Sequence, residues 1–384
     1  MESFDAVVIG LGAMGSSASM FLSRRGLKVL GLEQFTQGHE LGSSHGSSRA
    51  IRLAYYEHPS YVGLLQRAYP LWRELESRTG EMLLDQCGCL TLGPPTHPVL
   101  EGIRESARRH GLEIENLKAE EIQRRFPFLY PGEGYEAVYE TAGGYLRAGK
   151  AVRCFQDQAL EAGADFRFQC PALSWKRSGS LVEVETAQGK IHTPRLVITA
   201  GPWARRLLGP PGQTLTVMRQ TLHWFTPEFP ERFHPSRAPV FMSAEGEDFF
   251  YGFPSVDPEG VKVARHYGAE ELLSPDGVDR ENRQADVQPV RNFFRARIPS
   301  LADRPCTKSN ICLYTLSPDR HFLLGAMPGE EGVFLAAGFS GHGFKFASVV
   351  GEILHHLVLG NSTGHDLDFL HPGRFLHDKP AGRP

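Results

Sequence analysis

The first thirty-three residues of this 384-residue chain constrain its fold most strongly. An apolar segment, Ala6–Ile9, leads into Gly10-Leu11-Gly12-Ala13-Met14-Gly15, and a second apolar segment ends at Glu33. In a strand–helix–strand unit, the three glycines allow a tight turn, a close approach of phosphate and close helix–strand packing. The helix directs free N–H groups at the phosphates, and Glu33 can accept hydrogen bonds from a ribose. The pattern predicts a dinucleotide site, with a glycine turn that binds nothing as the alternative.

Length and charge narrow the class of protein. A chain of 384 residues with 41% hydrophobic composition can form two cores, so we expect two domains. A formal charge of -3 without runs of Lys or Arg argues against nucleic acid or a membrane surface and favours a small-molecule partner. The chain has no basic N-terminal segment before an apolar stretch, and no run of ~18 apolar residues, so we expect a cytoplasmic protein. Cys87-Gly88-Cys89 lacks a second ligand pair, so no metal site is predicted.

Hydrophobic periodicity predicts three helices in the first half of the chain. They span about Ser60–Arg78, Pro98–His110 and Ala148–Ala162. Arg49 and Arg52 follow a loop rich in glycine and serine and are three residues apart. We therefore expect both arginines on one side of a helical turn.

Strand patterns dominate the second half. Alternation from Leu181 leads to the buried run Leu196–Gly201, which we expect to rejoin the nucleotide sheet. Thr214 to Tyr314 is rich in strand patterns, and a strand at Val333–Ala337 precedes the glycine-rich segment Gly338–Gly343 and an amphipathic helix. Within the strand-rich region, alternation places three pairs on shared faces: Tyr251 with Phe253, Lys262 with His266, and Cys312 with Tyr314.

Together these motifs resemble the monomeric sarcosine oxidase and N-methyltryptophan oxidase family of D-amino-acid-oxidase-like flavoproteins, which also includes pipecolate oxidases. The resemblance covers nearly the whole chain. Its anchors are the segment Gly10–Gly15 with Glu33, Gly42–Arg52, Tyr251–Pro254, Val261–Val263 with His266, Cys312–Thr315 and Ala337–Lys345. The resemblance implies an α/β protein with a Rossmann-like FAD-binding domain and a second, mixed-sheet α+β substrate domain. The first would comprise residues 1–84, 147–215 and 319–384, and the second residues 85–146 and 216–318.

The resemblance further implies that FAD is attached covalently, through the flavin 8α-methyl carbon, to Cys312. Without the family, a single cysteine on an apolar strand is usually a buried hydrophobe. The positive end of the helix after Gly338–Gly343 should face the flavin pyrimidine ring, where it would stabilise arriving electron density. The implied cofactor-binding residues are Gly10, Gly12, Ala13, Met14, Gly15, Glu33, Gln34, Ser43, Ser44, His45, Arg49, Cys312, Gly338, Ser340, Gly341, His342, Gly343 and Lys345.

The same family implies roles for polar residues around the flavin. Lys262 would activate dioxygen near flavin N5, since a fixed ammonium stabilises developing negative charge; a lysine exposed on a sheet face is the alternative. Arg52 and Lys345 would hold the substrate carboxylate, although both arginines of the loop could instead pair with surface carboxylates. His266, Arg49 and Tyr314 complete the implied catalytic set with Lys262, and Tyr251, Phe253 and Met242 would line the amine side of the pocket.

The implied reaction oxidises a secondary amino acid. Sarcosine, dioxygen and water would give glycine, formaldehyde and hydrogen peroxide, with the redox chemistry supplied by the cofactor. The alternatives within the family are N-methyltryptophan and the cyclic amino acids L-pipecolate and L-proline. An NAD-dependent dehydrogenase and a non-catalytic flavin-binding protein are the alternatives from other classes. We expect a monomer.

Overall fold

Two large sheets organise the chain in the computed structural model, which describes residues 3–269 and 271–376. The α-helices are α1 (Ala13–Ser23), α2 (Tyr61–Thr79), α3 (Pro98–His110), α4 (Ala119–Arg125), α5 (Ala148–Glu161), α6 (Gly209–Gln213), α7 (Gln284–Arg297) and α8 (Ala347–Val358). The strands are β1 (Ala6–Ile9), β2 (Val29–Leu32), β3 (Ser48–Ile51), β4 (Leu84–Asp85), β5 (Cys89–Gly93), β6 (Glu115–Leu117), β7 (Glu136–Glu140), β8 (Gly144–Arg147), β9 (Asp165–Arg167), β10 (Ala172–Ser178), β11 (Leu181–Thr186), β12 (Gly189–Thr193), β13 (Leu196–Ile198), β14 (Thr216–Phe225), β15 (Val240–Glu245), β16 (Asp248–Asp257), β17 (Gly260–His266), β18 (Glu271–Leu272), β19 (Cys306–Leu316), β20 (Leu323–Ala326) and β21 (Val333–Ala337).

The first sheet has the order β20-β21-β13-β1-β2-β9. All its pairings are parallel except that of β20 with β21, and β1 lies between β2 and β13. The prediction that the run after Leu196 returns to the nucleotide sheet is therefore confirmed. Helix α1 packs closely on α8: a Cβ added at Gly351 would lie 2.1 Å from Ser17 Oγ. This α/β layer supports the carboxyl ends of β1 and β2, where such folds bind nucleotides.

The second sheet is mixed and has nine strands. Its order is β18-β14-β17-β16-β15-β5-β7-β6, with β19 paired to β14. The β5–β15 pairing is parallel, whereas the others are antiparallel. Helix α7 covers one face of the sheet, where Phe293 stacks on Phe250 with ring centroids 4.6 Å apart. The α/β architecture with a second, mixed-sheet unit is the fold class expected from the sequence.

The segment around Arg49 corrects one prediction. Ser48–Ile51 is strand β3, which pairs antiparallel with β8 and places Arg49 opposite Leu146; it is not a helical turn. Side chains alternate between the faces of an extended chain, so residues three apart point to opposite sides. Arg49 and Arg52 therefore serve two different parts of the site.

The predicted helices agree with α2, α3 and α5 to within one residue at each end. The apolar helix after Gly343 begins as a 3-10 turn, Phe344–Phe346, before α8. Within residues 3–269 and 271–376, no helix is long and apolar enough to cross a membrane.

Candidate active site

The glycine-rich turn after β1 has the geometry of a phosphate-binding loop. Gly10 has a φ of +90°, and a Cβ on it would lie 2.6 Å from the Thr199 carbonyl oxygen. A Cβ at Gly15 would lie 1.9 Å from the Gly10 carbonyl oxygen, so the start of α1 presses directly against the turn. A Cβ at Gly12 would lie 3.0 Å from Ser44 Oγ, in the space through which a phosphate would approach.

Glu33, at the end of β2, is buried beside this turn. Its Oε2 accepts a hydrogen bond from the Leu11 amide at 2.9 Å, and its Oε1 accepts one from the Phe35 amide at 3.1 Å. His39 Nε2 lies 3.6 Å from Oε1. A carboxylate has about four acceptor positions, so Glu33 can hold the loop and still accept hydrogen bonds from a ribose.

A cavity of about 620 Å³ extends from this loop to the mixed sheet. That volume lies in the range of small-molecule and cofactor sites. Its lining includes every predicted cofactor residue except Gly15, His342 and Lys345. Gly15 lies behind the turn, and the other two side chains contact Tyr55. The cavity therefore brings together loops that are more than 300 residues apart in the sequence.

Gln156 is a residue of this region that the sequence analysis missed. Its Nε2 donates hydrogen bonds to the Leu11 carbonyl at 3.0 Å and to Ser16 Oγ at 3.2 Å, and its side chain lines the cavity. The sequence feature that could have identified it is the position of this amide on the otherwise apolar face of α5. Buried amides need partners, and this one orients the glycine-rich turn.

Arg49 and His45 lie on the wall of the cavity. Arg49 donates hydrogen bonds to the carbonyls of Ser43 and His45 at 3.1 and 2.6 Å. Both ring nitrogens of His45 are buried and have no hydrogen-bond partner within the described residues. Burial, with help from Arg49, lowers the pKa of His45 to about 3, so its ring is neutral. A bound group rich in polar atoms would satisfy these nitrogens, and FAD fits this requirement.

Cys312, on β19, lies against the same wall with 3% of its surface exposed. Its sulfur is 3.8 Å from the Ser43 carbonyl oxygen. Burial raises the pKa of the thiol, while the nearby cations of Arg49 and Lys262 oppose that rise. Cys312 thus lines the cavity, and two positive charges act on its thiol.

Lys262 lies on β17 and is 1% exposed. Its Nζ donates a hydrogen bond to the Ser48 carbonyl at 2.7 Å and lies 4.0 Å from the centroid of the Phe253 ring. Burial and Arg49 lower the pKa of Lys262 well below its usual value, and Asp257 counteracts them. The sheet-face lysine is therefore buried, and the exposed alternative is wrong.

An aromatic cluster adjoins the cavity at Tyr314. The Tyr314 hydroxyl lies 3.3 Å from both the Tyr251 hydroxyl and His266 Nδ1. Burial lowers the pKa of His266 to about 3 and raises that of Tyr251 to about 12, so both groups are neutral. Met242 lies opposite Tyr251 in the β15–β16 pair. The structure thus brings together the residues predicted for the amine side.

Arg52 and Lys345 converge on the ring of Tyr55. The Arg52 guanidinium carbon lies 4.7 Å from the ring centroid and Lys345 Nζ lies 5.0 Å from it. Lys345 Nζ also donates to the His342 carbonyl at 2.8 Å and to the Tyr55 hydroxyl at 3.2 Å. Burial, followed by the charge of Arg52, lowers the pKa of Lys345 to about 7.

Glu57 is the second residue that the sequence analysis missed. Both of its carboxylate oxygens accept hydrogen bonds from Arg52 Nη2, at 2.9 and 3.1 Å. Arg52 Nε is buried and has no hydrogen-bond partner in the described part of the chain. No spacing rule links Arg52 to a loop carboxylate, so the sequence offered no signal for this pair.

A Rossmann-like nucleotide sheet joined to a mixed sheet with buried cations defines a dinucleotide-dependent oxidoreductase. Residues 5–357 match the family described as FAD dependent oxidoreductase, and the chain belongs to that family. This match selects FAD over the NAD alternative. The curated relatives include a monomeric sarcosine oxidase of Streptomyces avermitilis, 39% identical over 97% of both chains. They also include an N-methyl-L-tryptophan oxidase of Yersinia pestis, 34% identical over 91% of this chain and 93% of the relative.

Solved structures agree with the fold. NikD, an unusual amino acid oxidase essential for nikkomycin biosynthesis, superposes with a TM-score of 0.84 at 26% identity, covering 97% of this chain and 98% of its own. An L-proline dehydrogenase from P. horikoshii has the same TM-score of 0.84 at 22% identity, covering 98% of both chains. The second likeness concerns the fold alone.

Proposed function

We propose that this FAD-dependent oxidoreductase oxidises secondary N-methyl amino acids, with sarcosine as its substrate. Sarcosine, dioxygen and water would give glycine, formaldehyde and hydrogen peroxide. The observation that carries this proposal is the convergence of Arg52 and Lys345 on Tyr55. The charges of both act on His266, whose Nδ1 lies 3.3 Å from the hydroxyl of Tyr314 in the wall of the cofactor cavity. Two buried cations next to a redox cofactor suit a substrate with a carboxylate.

The bound flavin would supply the redox chemistry, taking two electrons from the substrate C–N bond and passing them to dioxygen. Arg52 would offer the substrate carboxylate its buried Nε–H, which has no hydrogen-bond partner among the residues that the structure describes, and Lys345 would add a point charge. This anchoring would leave the amine beside Tyr314 and His266. Because cations surround it and His266 is neutral, the amine would lose its proton more readily than in water.

Lys262 would act on dioxygen rather than on the amino acid. Its Nζ lies between the Phe253 ring and the Ser48 carbonyl, and the charge of Arg49 acts on it. A fixed positive charge in a site of low polarity stabilises negative charge that develops on dioxygen. Its burial supports this role, since a charge held out of water is retained at a cost in stability.

We also propose that Cys312 Sγ forms the covalent bond to the 8α carbon of FAD. Forming this bond breaks the S–H bond of the thiol and one C–H bond of the 8α-methyl group, and dioxygen takes the two electrons and two protons as hydrogen peroxide. The position of the thiol on the cavity wall beside two cations supports this assignment. Burial raises the pKa of the thiol, and the two cations partly offset that rise in favour of the thiolate, which is the nucleophilic form of cysteine.

A monomer with two discontinuous units is the proposed organisation. The strands of the six-stranded sheet come from residues 1–84, 147–215 and 319–384, and those of the nine-stranded sheet from residues 85–146 and 216–318. Residues 377–384 lie outside the described part of the chain.

The test is a substrate panel with peroxide detection. Sarcosine, N-methyltryptophan, L-pipecolate and L-proline are compared by kcat/KM, and formaldehyde is measured alongside peroxide. The proposal expects sarcosine to be the best substrate, with equal amounts of the two products. A higher kcat/KM for a cyclic amino acid, without formaldehyde, would support the alternative in which the substrate is L-pipecolate or L-proline. A yellow protein that oxidises no amine would support the non-catalytic alternative.

A further inference from the structure

Asp257, the last residue of β16, ties the mixed sheet to the loop that carries Arg49. Its Oδ2 accepts a hydrogen bond from Trp224 Nε1 on β14 at 2.8 Å and one from Ser47 Oγ at 2.5 Å. Ser47 directly precedes strand β3 and lines the cofactor cavity. One carboxylate oxygen thus holds together two elements that are far apart in the sequence.

The same elements enclose Lys262. Trp224 is paired with Lys262 in the β14–β17 register, and its ring lies 5.7 Å from Lys262 Nζ. The carbonyl that accepts the hydrogen bond from Nζ belongs to Ser48, the residue after Ser47. Asp257 and Lys262 therefore hold adjacent residues of one loop, the first through a side chain and the second through the backbone.

The charges that face Lys262 come from three other elements. Arg49 on β3 opposes its protonation, whereas Asp257 on β16 and the thiol of Cys312 on β19 favour it. Burial of an ammonium beside a guanidinium is unfavourable unless a negative charge compensates it. Within the described residues, Asp257 is the carboxylate whose charge raises the pKa of Lys262, against the larger lowering by burial and Arg49.

We propose that Asp257 is a positioning residue for the oxygen reaction: its hydrogen bonds to Trp224 and Ser47 hold the Ser47–Ser48 segment against Lys262, and its carboxylate supplies a negative charge that accompanies the buried lysine. This inference rests on the role proposed above for Lys262. It adds a residue that touches neither the cofactor cavity nor the amino-acid pocket. Asp257 would leave the oxidation of the amine unaffected and act on the return of electrons to dioxygen.

The test separates the two halves of the reaction in Asp257→Asn, which keeps the size of the side chain and removes its charge. Holoenzyme is reduced with dithionite, and reoxidation by dioxygen is followed by flavin absorbance across pH 6–10. If protonated Lys262 is required, reoxidation slows as the pH rises through the pKa of Lys262. In Asp257→Asn this decline is expected to move to lower pH by about one unit, a tenfold loss at fixed high pH. Reduction by the amino acid is expected to keep its wild-type rate.

A second readout does not depend on turnover. The ¹³Cε resonance of Lys262 in lysine-labelled protein, assigned by its loss in Lys262→Met, is titrated in wild type and Asp257→Asn. The variant is expected to titrate at lower pH, and Asp257→Glu to restore both the resonance and the reoxidation profile. A purely structural role of Asp257 would slow reoxidation equally at every pH and leave the titration unmoved, and this result would overturn the inference.

Asp248→Asn is the matched control, because Asp248 is the first residue of the same strand and pairs with Arg265 at 2.5 Å. It is expected to match the wild type in both readouts, and a shift equal to that of Asp257→Asn would overturn the inference.

Dithionite reduction requires no amine, so the assay also separates this inference from the proposed function. If reoxidation is slow in Lys262→Met but unaffected in Asp257→Asn, the inference is overturned and the proposed role of Lys262 stands. Reoxidation that is unaffected in Lys262→Met overturns the proposed role of Lys262 and, with it, the inference.

Discussion

Arg52 and Glu57 form an ion pair, with 5% and 14% of their side-chain surfaces exposed, in the position where the substrate carboxylate is proposed to bind. Arg52 Nη2 lies 2.9 and 3.1 Å from the two carboxylate oxygens of Glu57. Burial opposes ionisation of Glu57, but Arg52, His342 and Lys345 together hold the pKa of this carboxyl below its usual value. If Arg52 binds the substrate carboxylate as proposed, Glu57 is an internal carboxylate that would compete with the substrate for the same guanidinium.

Glu57→Gln is expected to lower the KM for the amino acid. The amide competes less well for Arg52, and a negative charge that repels the substrate is removed. A change of about 1.4 kcal/mol corresponds to tenfold in affinity. Loss of the partner of a buried charge is also expected to lower the free energy of unfolding, by about 3 kcal/mol, as measured by urea denaturation.

The control for this change is Glu105→Gln, which removes an exposed carboxylate paired with Arg108 at 2.9 Å. Exposed pairs contribute little, so both KM and stability should stay at wild-type values. A KM that rises in Glu57→Gln would show that Glu57 assists substrate binding instead of opposing it.

Cys312→Ser is expected to release the flavin on acid precipitation. In the wild type, the yellow colour should stay with the precipitated protein, because the cofactor is covalently bound. The comparison variant is Cys306→Ser on the same strand, whose sulfur lies 3.4 Å from Ser309 Oγ. Its flavin should stay in the pellet. Colour that appears in the wild-type supernatant contradicts the covalent assignment.

The affinity for carboxylates is expected to decrease above pH 7. Burial and Arg52 lower the pKa of Lys345 to about 7, so the ammonium form is present below that pH and is lost as the pH rises through it. Binding of a carboxylate favours the ammonium, so the Kd should increase by up to about tenfold per pH unit above 7. A titration of flavin absorbance with a non-oxidised carboxylic acid measures this Kd. In Lys345→Met, binding should be weak, and its Kd should not depend on pH over the same range. If the Kd of this variant still rises with pH as in the wild type, the titration belongs to another group.

Gly15→Ala is expected to disrupt the nucleotide site. The added Cβ would lie 1.9 Å from the Gly10 carbonyl oxygen and 2.5 Å from Thr199 Oγ1, both of which belong to the tightly packed turn. Overpacking of this kind lowers the free energy of unfolding by about 1–3 kcal/mol. Both the FAD content and the midpoint of thermal unfolding should therefore decrease. Gly63→Ala in α2 is the control, since nothing lies within 4 Å of its added Cβ. There, helix propensity predicts a gain of up to about 1 kcal/mol, and equal losses in both variants would contradict the packing argument.

The elements that the sequence predicted well have strong local signals. Helix α3 begins at Pro98 and ends before Gly111, which has a φ of +62°, so proline and glycine mark both of its ends. The phosphate-binding turn between Ile9 and α1 was predicted because the spacing of its glycines matches the positions where a side chain would clash. Arg49 and Arg52 had no such signal, since a spacing of three is compatible with either helix or strand. Pairing of Ser48–Ile51 with β8, almost 100 residues later, decided in favour of a strand.

By itself the sequence determined the nucleotide-binding unit and, through its motifs, the residues proposed for the flavin and the substrate. These follow from local patterns, because turn geometry, periodicity and burial act over a few neighbouring residues. Only the tertiary structure decided which charges meet: Glu57 with Arg52, and Asp257 with the loop beside Lys262. Electrostatic effects depend on distance and burial in space, and spacing along the chain records neither.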